Sequence, residues 1–356
     1  MIDLKDSEMS EELRIATVGD IKIGKGYPIS VQTMYDSPVP HDKNKLDELL
    51  ERMNSLNAMG CDIMRFSYPT DDDREAFTYL NERSTMPLVA DIHFDYKMAL
   101  AAIECGFKAI RINPGNIKHR WKVDEVVRSA KEHGCAIRIG LNSGSMPDGS
   151  GRKAVIMVDN ALKYIQWFEE LGFYNTVVSL KSTNLEETTE ANELFASKSN
   201  YPLHIGVTEA GSVVSSVARS TWTLGNLITK GIGDTMRISI TGNIEDEVFA
   251  GVEILRTLGL RSTGVRIVSC PRCGRNSFDS IGFLKEVEPD LLKLKKDISV
   301  AIMGCQVNGP GEAKGADYAV TGLGTKVFLY KKGVLAQEVT RKNARKALLE
   351  AIENGD

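Results

Sequence analysis

No run of eighteen apolar residues occurs anywhere in this 356-residue chain, so no membrane-spanning helix is expected. The opening stretch MIDLKDSEMSEELR is acidic and has no apolar core, which is not the pattern of a secretory signal. A basic excess is also missing: 44 Lys and Arg stand against 48 Asp and Glu, for a formal net charge of −4. No basic, aromatic-rich stripe compensates for it, so neither a nucleic-acid partner nor an anionic membrane is called for. Cysteine is sparse, at six residues. Without an export signal the expected compartment is the cytoplasm, where such cysteines serve as thiols or metal ligands rather than disulfides.

What is present is ordinary for a globular protein: 42% hydrophobic and 26% charged residues, which excludes extensive disorder. The length predicts two domains, or one large barrel with an appendage. From Pro28 to about Gly259 a single pattern repeats. A short aliphatic run is followed by a polar loop and then an amphipathic helical stretch. The predicted strands are PISVQTM, CDIMRFSYP, PLVADIHF, AIRINPG, AIRIGLN, TVVSLKST, LHIGVTEAG and MRISITG. Several intervening helices should stop at Gly60, Gly106, Gly134, Gly172 and Gly259. Alternating strand and helix implies a parallel sheet, and eight units over about 230 residues fit a closed TIM-type (β/α)8 barrel. An open doubly wound sheet is the alternative. Ahead of the repeat, IATVGDIKIGKG reads as a hairpin turning near Gly19 and Asp20, placed to plug the barrel bottom. No helix follows its glycines, so it is not a phosphate loop.

After Gly259 the rhythm changes. GVRIVSC and DISVAIMG read as strands and FDSIGFLKEVEPDLLKL as a helix. KVFLYKKGVLAQEV reads as a hairpin turning at Lys332–Gly333, and RKNARKALLEAIEN as a last helix. This predicts a barrel over 1–261 and a small α+β domain over 262–356.

In barrels of this class the reacting groups lie where strands end. The polar residues there are Gln32, Thr33, Arg65, Asp91, His93, Arg111, Asn113, Arg138, Asn142, Ser179, Lys181, Thr208, Glu209, Arg237 and Ser239. Residues two apart on a strand share a face, which pairs Asp91 with His93, Arg111 with Asn113, Ser179 with Lys181, and Arg237 with Ser239. Inward-facing, they bring four arginines and Lys181 to one mouth. Crowded cations resist desolvation unless an anion joins them, and guanidinium suits bidentate grip on phosphate. Any one arginine could instead pair with a neighbouring carboxylate. For all five cations the strand ends offer only Asp91 and Glu209, so a diphosphate-like ligand is expected. His204 has apolar neighbours and is read as structural. Glu209 could cap the following helix or donate a proton to substrate.

Cys270 and Cys273 form a C-x2-C pair in VSCPRCGR, and Cys305 follows in GCQVNGPGEA. A dithiol would not need Cys305, and a zinc ribbon would bring a second pair. Zinc and iron–sulfur both stay open on this chemistry, with the balance towards iron–sulfur. No histidine follows His204, and the nearest acid is Glu312. An oxygen ligand would leave one metal atom able to exchange partners. Cys61, Cys105 and Cys135 stand alone among apolar residues and read as core.

The last barrel helix, expected from Asn243 to about Leu258, carries the chain roughly 24 Å away from the mouth. The linker LRSTG then reaches at most about 17 Å. The cysteine domain should therefore emerge at the barrel's bottom. If thiols and arginines meet on one ligand, they come from different chains, which predicts a head-to-tail homodimer with two shared sites.

Taken together, CPRCGR, GCQVNGPGEA, RINPGN, RIGLNSGS and GVTEAG resemble the bacterial 4-hydroxy-3-methylbut-2-enyl diphosphate synthases, iron–sulfur enzymes of the non-mevalonate isoprenoid pathway. The resemblance spans essentially the whole chain. It implies a 4Fe–4S cluster on Cys270, Cys273 and Cys305 with Glu312 as fourth ligand. It implies 2-C-methyl-erythritol 2,4-cyclodiphosphate as substrate, opened reductively with two electrons and loss of water. Arg65, Arg111, Arg138, Lys181 and Arg237 would hold the diphosphate, helped by Asn142, Thr208 and Ser239, with Asp91, His93 and Asn113 alongside. Glu209 would be the proton donor, and flavodoxin or ferredoxin the electron source. Two other readings compete: a barrel enzyme for a phosphorylated or pterin-like substrate with a structural zinc domain, and a zinc module for RNA or protein contact.

Overall fold

Each of the eight expected repeats yields a strand in the computed structural model, which describes residues 13–117, 119–145, 151–262, 264–271, 273–305, 311 and 314–355. The chain divides into two compact units, Met1–Arg261 and Ser262–Asp356. No helix among the described residues is long and apolar enough to cross a membrane.

The first unit opens with the hairpin β1 (Ala16–Val18) and β2 (Ile21–Ile23). The barrel strands are β3 (Ser30–Met34), β4 (Ile63–Ser67), β5 (Leu88–Asp91), β6 (Ala109–Ile112), β7 (Ala136–Asn142), β8 (Thr176–Lys181), β9 (His204–Ile205) and β10 (Thr235–Met236). They pair in parallel in the order β8-β7-β6-β5-β4-β3-β10-β9. The circle closes where Val178 bridges Leu203 and its amide donates to Pro202 O at 2.9 Å. The outer layer is α1 (Lys43–Met59), α2 (Arg74–Arg83), α3 (Tyr96–Glu104), α4 (Arg120–Glu132), α5 (Lys153–Glu170), α6 (Leu185–Ala196), α7 (Val213–Thr229) and α8 (Ile244–Thr257).

Local chemistry sets the helix ends. Asp42 caps α1 by accepting from the amides of Asn44 and Lys45, and Asn184 caps α6 through Glu187 N. Gly60, Gly106, Gly134, Gly172 and Gly259 all take positive φ just after a helix, a conformation glycine adopts without Cβ strain.

The hairpin plugs the N-terminal end of the barrel. Ala16, Val18 and Ile23 pack against Ile63, Val89, Ala109, Ala136 and Val177, all at or near the starts of their strands. Asn175 pins it, accepting from Thr17 N at 2.7 Å and donating to Thr17 O at 3.1 Å.

β9 and β10 are shorter than the runs LHIGVTEAG and MRISITG suggest. A Cβ on Gly206 would lie 2.6 Å from both Arg237 O and Lys181 Nζ. The backbone leaves the sheet there, and 206–211 and 237–243 become mouth loops.

In the second unit a five-stranded sheet runs in the order β11 (Val265–Ser269), β12 (Ile298–Ile302), β13 (Tyr318–Leu323), β14 (Lys326–Lys331) and β15 (Val334–Thr340). β11, β12 and β13 are parallel; β13, β14 and β15 are antiparallel. α9 (Ser280–Leu291) and α10 (Ala344–Glu353) supply Phe283, Val287, Leu291, Leu348 and Ile352 to a core with Val265, Val300, Val320 and Leu329. Lys332 and Gly333 have φ of 49° and 77°, as a tight hairpin turn demands. β13 carries no plain strand signal in the sequence. Its Gly322 lies against Phe278, whose Cγ would be 2.6 Å from a Cβ there, and glycine weakens a strand signal.

Candidate active site and thiol site

Strand ends β3 to β8 and the loops after β9 and β10 deliver charged groups to the C-terminal face of the barrel. Arg65, Arg111, Arg138, Lys181 and Arg237 all lie there, with Asp91 and a residue the sequence reading passed over, Glu247 of α8.

Asp91, 3% exposed, is the hub. Its carboxylate lies 3.5 Å from Arg65 Nη2, 3.4 Å from Arg111 Nη1 and 3.8 Å from His93 Nε2. Burial alone would raise its pKa, but Arg65, Arg111, His93 and Arg138 outweigh burial and hold it below the usual carboxylate value. Arg111 also donates to Gly140 O at 3.0 Å. Arg65 donates to the Met34 thioether at 2.8 Å. Burial pushes the Arg65 guanidinium down to about 10, against the pull of Asp91.

Arg237 is not a free cation. Its Nη2 and Nε donate to Glu247 Oε1 and Oε2 at 3.1 and 3.3 Å. Glu247 accepts in addition from Thr33 Oγ1 at 2.7 Å and Ile240 N at 3.1 Å. The expectation that the strand ends offered only Asp91 and Glu209 as counter-ions is thus corrected, because a helix supplies the third. The signal was legible. Ile244, Glu247, Val248, Gly251 and Leu255 are all buried on α8 and follow helical spacing, so a carboxylate sits on an apolar stripe.

Arg138 and Lys181 are compensated least. Arg138 gives Nη1 to Gln32 Oε1 at 2.5 Å, while its Nε and Nη2 are buried with no partner among the described residues. Burial, reinforced by Arg65 and Arg111, pulls its guanidinium well below the usual arginine range. Burial also pulls the Lys181 ammonium well down, with Arg138, Arg237, Arg65 and Arg111 adding repulsion. Five cations against Asp91 and Glu247 leave a formal excess of three. A polyanion is the ligand that relieves such a ring.

The remaining expected residues are distributed around this ring. Asn113 spends its Oδ1 on Gly115 N at 3.1 Å, capping the short turn Pro114–Asn116. Asn142 ends β7. Ser239 accepts from Ser216 Oγ through its carbonyl at 2.7 Å. Thr208 N donates to Ser182 O at 3.3 Å. Glu209 is exposed and holds a φ of 53°, strained backbone of the sort found at functional loops. His204 is fully buried, its Nδ1 3.4 Å from Thr235 Oγ1. Burial and the nearby cations keep its imidazole well below the usual range, so it is neutral.

In the second unit Cys270 follows β11, Cys305 follows β12, and Cys273 lies in the loop between Cys270 and α9. Parallel pairing of β11 with β12 brings these ends together. Gly304 N donates to Cys270 Sγ at 3.1 Å, and Gly304 O accepts from Ser277 N and Phe278 N at 2.8 and 3.2 Å. Three thiols at one sheet end, one already taking an amide N–H, are a donor set suited to a cluster. They are not drawn tight: among the described residues no three metal-ligating side chains form a closed group. Glu312 lies outside the described residues. Cys61, Cys105 and Cys135 are buried and free.

The fold and the cation ring define a barrel enzyme for a multiply charged anion, joined to a cysteine-bearing α+β unit. The chain belongs to the GcpE family: residues 14–252 match its GcpE TIM-barrel domain and residues 266–354 its GcpE protein C-terminal domain. A 4-hydroxy-3-methylbut-2-en-1-yl diphosphate synthase (flavodoxin) of Symbiobacterium thermophilum is 42% identical over 96% of this chain and 92% of its own length. The Geobacter sulfurreducens protein of the same name is 41% identical over 97% and 98%. Among solved structures, a Xanthomonas albilineans dihydropteroate synthase covers 70% of this chain and 98% of its own, at 11% identity and a TM-score of 0.51. That likeness concerns the barrel fold alone.

Proposed function

We propose that this chain carries out the reaction for which its relatives are named, forming 4-hydroxy-3-methylbut-2-en-1-yl diphosphate from 2-C-methyl-erythritol 2,4-cyclodiphosphate in isoprenoid synthesis, in the cytoplasm. The observation that carries this reading is the ring of five cations around Arg138 and Lys181, whose formal excess of three matches a diphosphate.

Arg65, Arg111, Arg138, Lys181 and Arg237 grip the phosphates; Asp91 and Glu247 hold Arg65, Arg111 and Arg237 in place, and Asp91 also lies beside the substrate. Asn113, Asn142, Thr208, Ser239 and His93 shape the rim. Burial makes each cation–phosphate contact stronger than it would be in water. Opening the ring at one C–O bond and losing a hydroxyl as water takes up two electrons and one proton. Glu209, on its strained loop, gives the proton. Cys270, Cys273 and Cys305, with Glu312 as the remaining ligand, would hold a 4Fe–4S cluster that would supply the two electrons, and flavodoxin, named in the relatives, would deliver them.

In this reading 1–261 is the substrate domain, 262–356 the cluster domain, and the protein a head-to-tail homodimer. Anaerobic purification with iron and sulfide counts, followed by the cyclic diphosphate and a reductant, tests the chemistry. A colourless protein with stoichiometric zinc defeats it. Verified mixed dimers of Glu209→Gln and Cys305→Ser chains should regain part of the activity; no recovery rejects the shared site.

A further inference from the structure

The barrel is not solidly packed beneath the cation ring. A void of about 20 Å3 lies between the ring and the plug residues Val18 and Ile23. Bulky branched side chains ordinarily fill this level of a barrel; here Ile63, Val89 and Val177 share it with Ala109 and Ala136, which contribute only methyl groups.

Four polar side chains also line it: Gln32, Arg138, His204 and Thr235, 2%, 6%, 0% and 2% exposed. Arg138 Nη1 and Gln32 Oε1 satisfy one another. Arg138 Nε and Nη2, Gln32 Nε2 and His204 Nε2 have no partner among the described residues. Native proteins rarely leave buried donors so, and the arginine and amide nitrogens can only donate. The missing partner is therefore an acceptor. The acceptor in the void is also small, since one water needs about 10–15 Å3; Gln32 Nε2 is left for it, and Arg138 offers it only the N–H that its phosphate ligand does not take.

We propose that the void is a built-in acceptor site that takes one water molecule or one halide ion, tying Gln32 and Arg138 together from below and positioning Arg138 for its ligand. Local charge admits the halide, and the size admits either.

Crystals of the full chain grown with bromide in place of chloride test the occupant. A bromine anomalous peak within hydrogen-bonding distance of Arg138 or Gln32 identifies a halide. An ordered oxygen without anomalous signal identifies water. Both support the site, and an empty void overturns it. Ala136→Val, which fills the void, tests the consequence in the cluster-loaded enzyme. Expulsion of the guest should lower Tm and raise KM for the cyclic diphosphate about tenfold with kcat little changed. A raised Tm with unchanged KM is the response of a dry void and overturns the proposal. This kinetic arm rests on Arg138 being a phosphate ligand. Arg138→Met tests that separately: if it leaves KM unchanged, the functional reading fails while the crystallographic arm stands.

Discussion

Glu247 on helix α8 and Arg237 after β10 form a two-bond ion pair, at 3.1 and 3.3 Å, with the carboxylate 3% exposed. The same carboxylate holds Thr33 Oγ1 and Ile240 N, so it ties the mouth loop to a helix and a strand. Removing one partner of a buried pair leaves the other uncompensated. Glu247→Ala should lower unfolding stability by about 3 kcal/mol in urea titrations and raise KM about tenfold, an assumed 1.4 kcal/mol of lost positioning. Glu247→Gln should lose less of both. A Glu247→Ala protein as stable as the parent would remove Glu247 from the account.

Gly140 makes room for Arg111. A Cβ at this position would collide with Arg111 Nε and stand 2.9 Å from its Cζ. Because φ at Gly140 is not in the left-handed region, the contact alone is at issue. Gly140→Ala should keep the fold and weaken cyclic diphosphate binding about tenfold or more, since a misplaced guanidinium loses charge-assisted bonds. Calorimetry of substrate binding reads this directly, and unchanged affinity would separate Arg111 from the ligand.

Much of this arrangement was legible from residue order. Period-two pairs put Asp91, Arg111, Lys181 and Arg237 on shared strand faces, and with Arg65 and Arg138, read as polar strand-end residues, they converge on one mouth once those faces point inward. Helix-stop glycines fixed the repeat. What the strand ends could not reveal was Glu247, since its partner is 10 residues away on another element and only the contrast of a carboxylate on an apolar stripe marked it. β13 escaped because its pairing is non-local and its glycine dilutes the alternation. The void beneath Arg138 escaped because it arises from what Ala109 and Ala136 omit.

The cysteines fall into two reactivity classes. Burial pushes the Cys61 and Cys135 thiols up to about 12, so almost no thiolate, the reactive form, exists at pH 8. Cys273 is exposed and Cys270 half-buried. Brief iodoacetamide treatment of metal-free protein at pH 8 should label Cys273 first and Cys270 next, with Cys61 and Cys135 unlabelled until the chain unfolds. Mass spectrometry of the peptides gives the order. Early labelling of Cys61 or Cys135 would contradict their place in the core.

Lys181 sets the cost of holding the mouth ready for a polyanion. It is 8% exposed, and among the described residues no carboxylate lies within ion-pair distance. Its folded pKa is well below its ordinary 10.5, whereas the unfolded chain titrates near about 10.4. Between those two values the unfolded state binds the extra proton, so this group's contribution to stability rises with pH across that window. Lys181→Met removes both the buried charge and the titration. The variant should therefore be more stable than the parent without ligand, by a margin that narrows as the pH is raised towards about 10. Its activity should fall on the order of a hundredfold, as expected when one charge of a buried contact is lost. Adding the cyclic diphosphate should stabilise the parent far more than the variant, because the anion restores the partner that Lys181 lacks. Urea titrations at pH 6.5 and 9, with and without substrate, measure all three effects. A variant less stable than the parent at both pH values, or one that substrate protects equally well, would show that Lys181 is paired within the protein rather than held for the ligand.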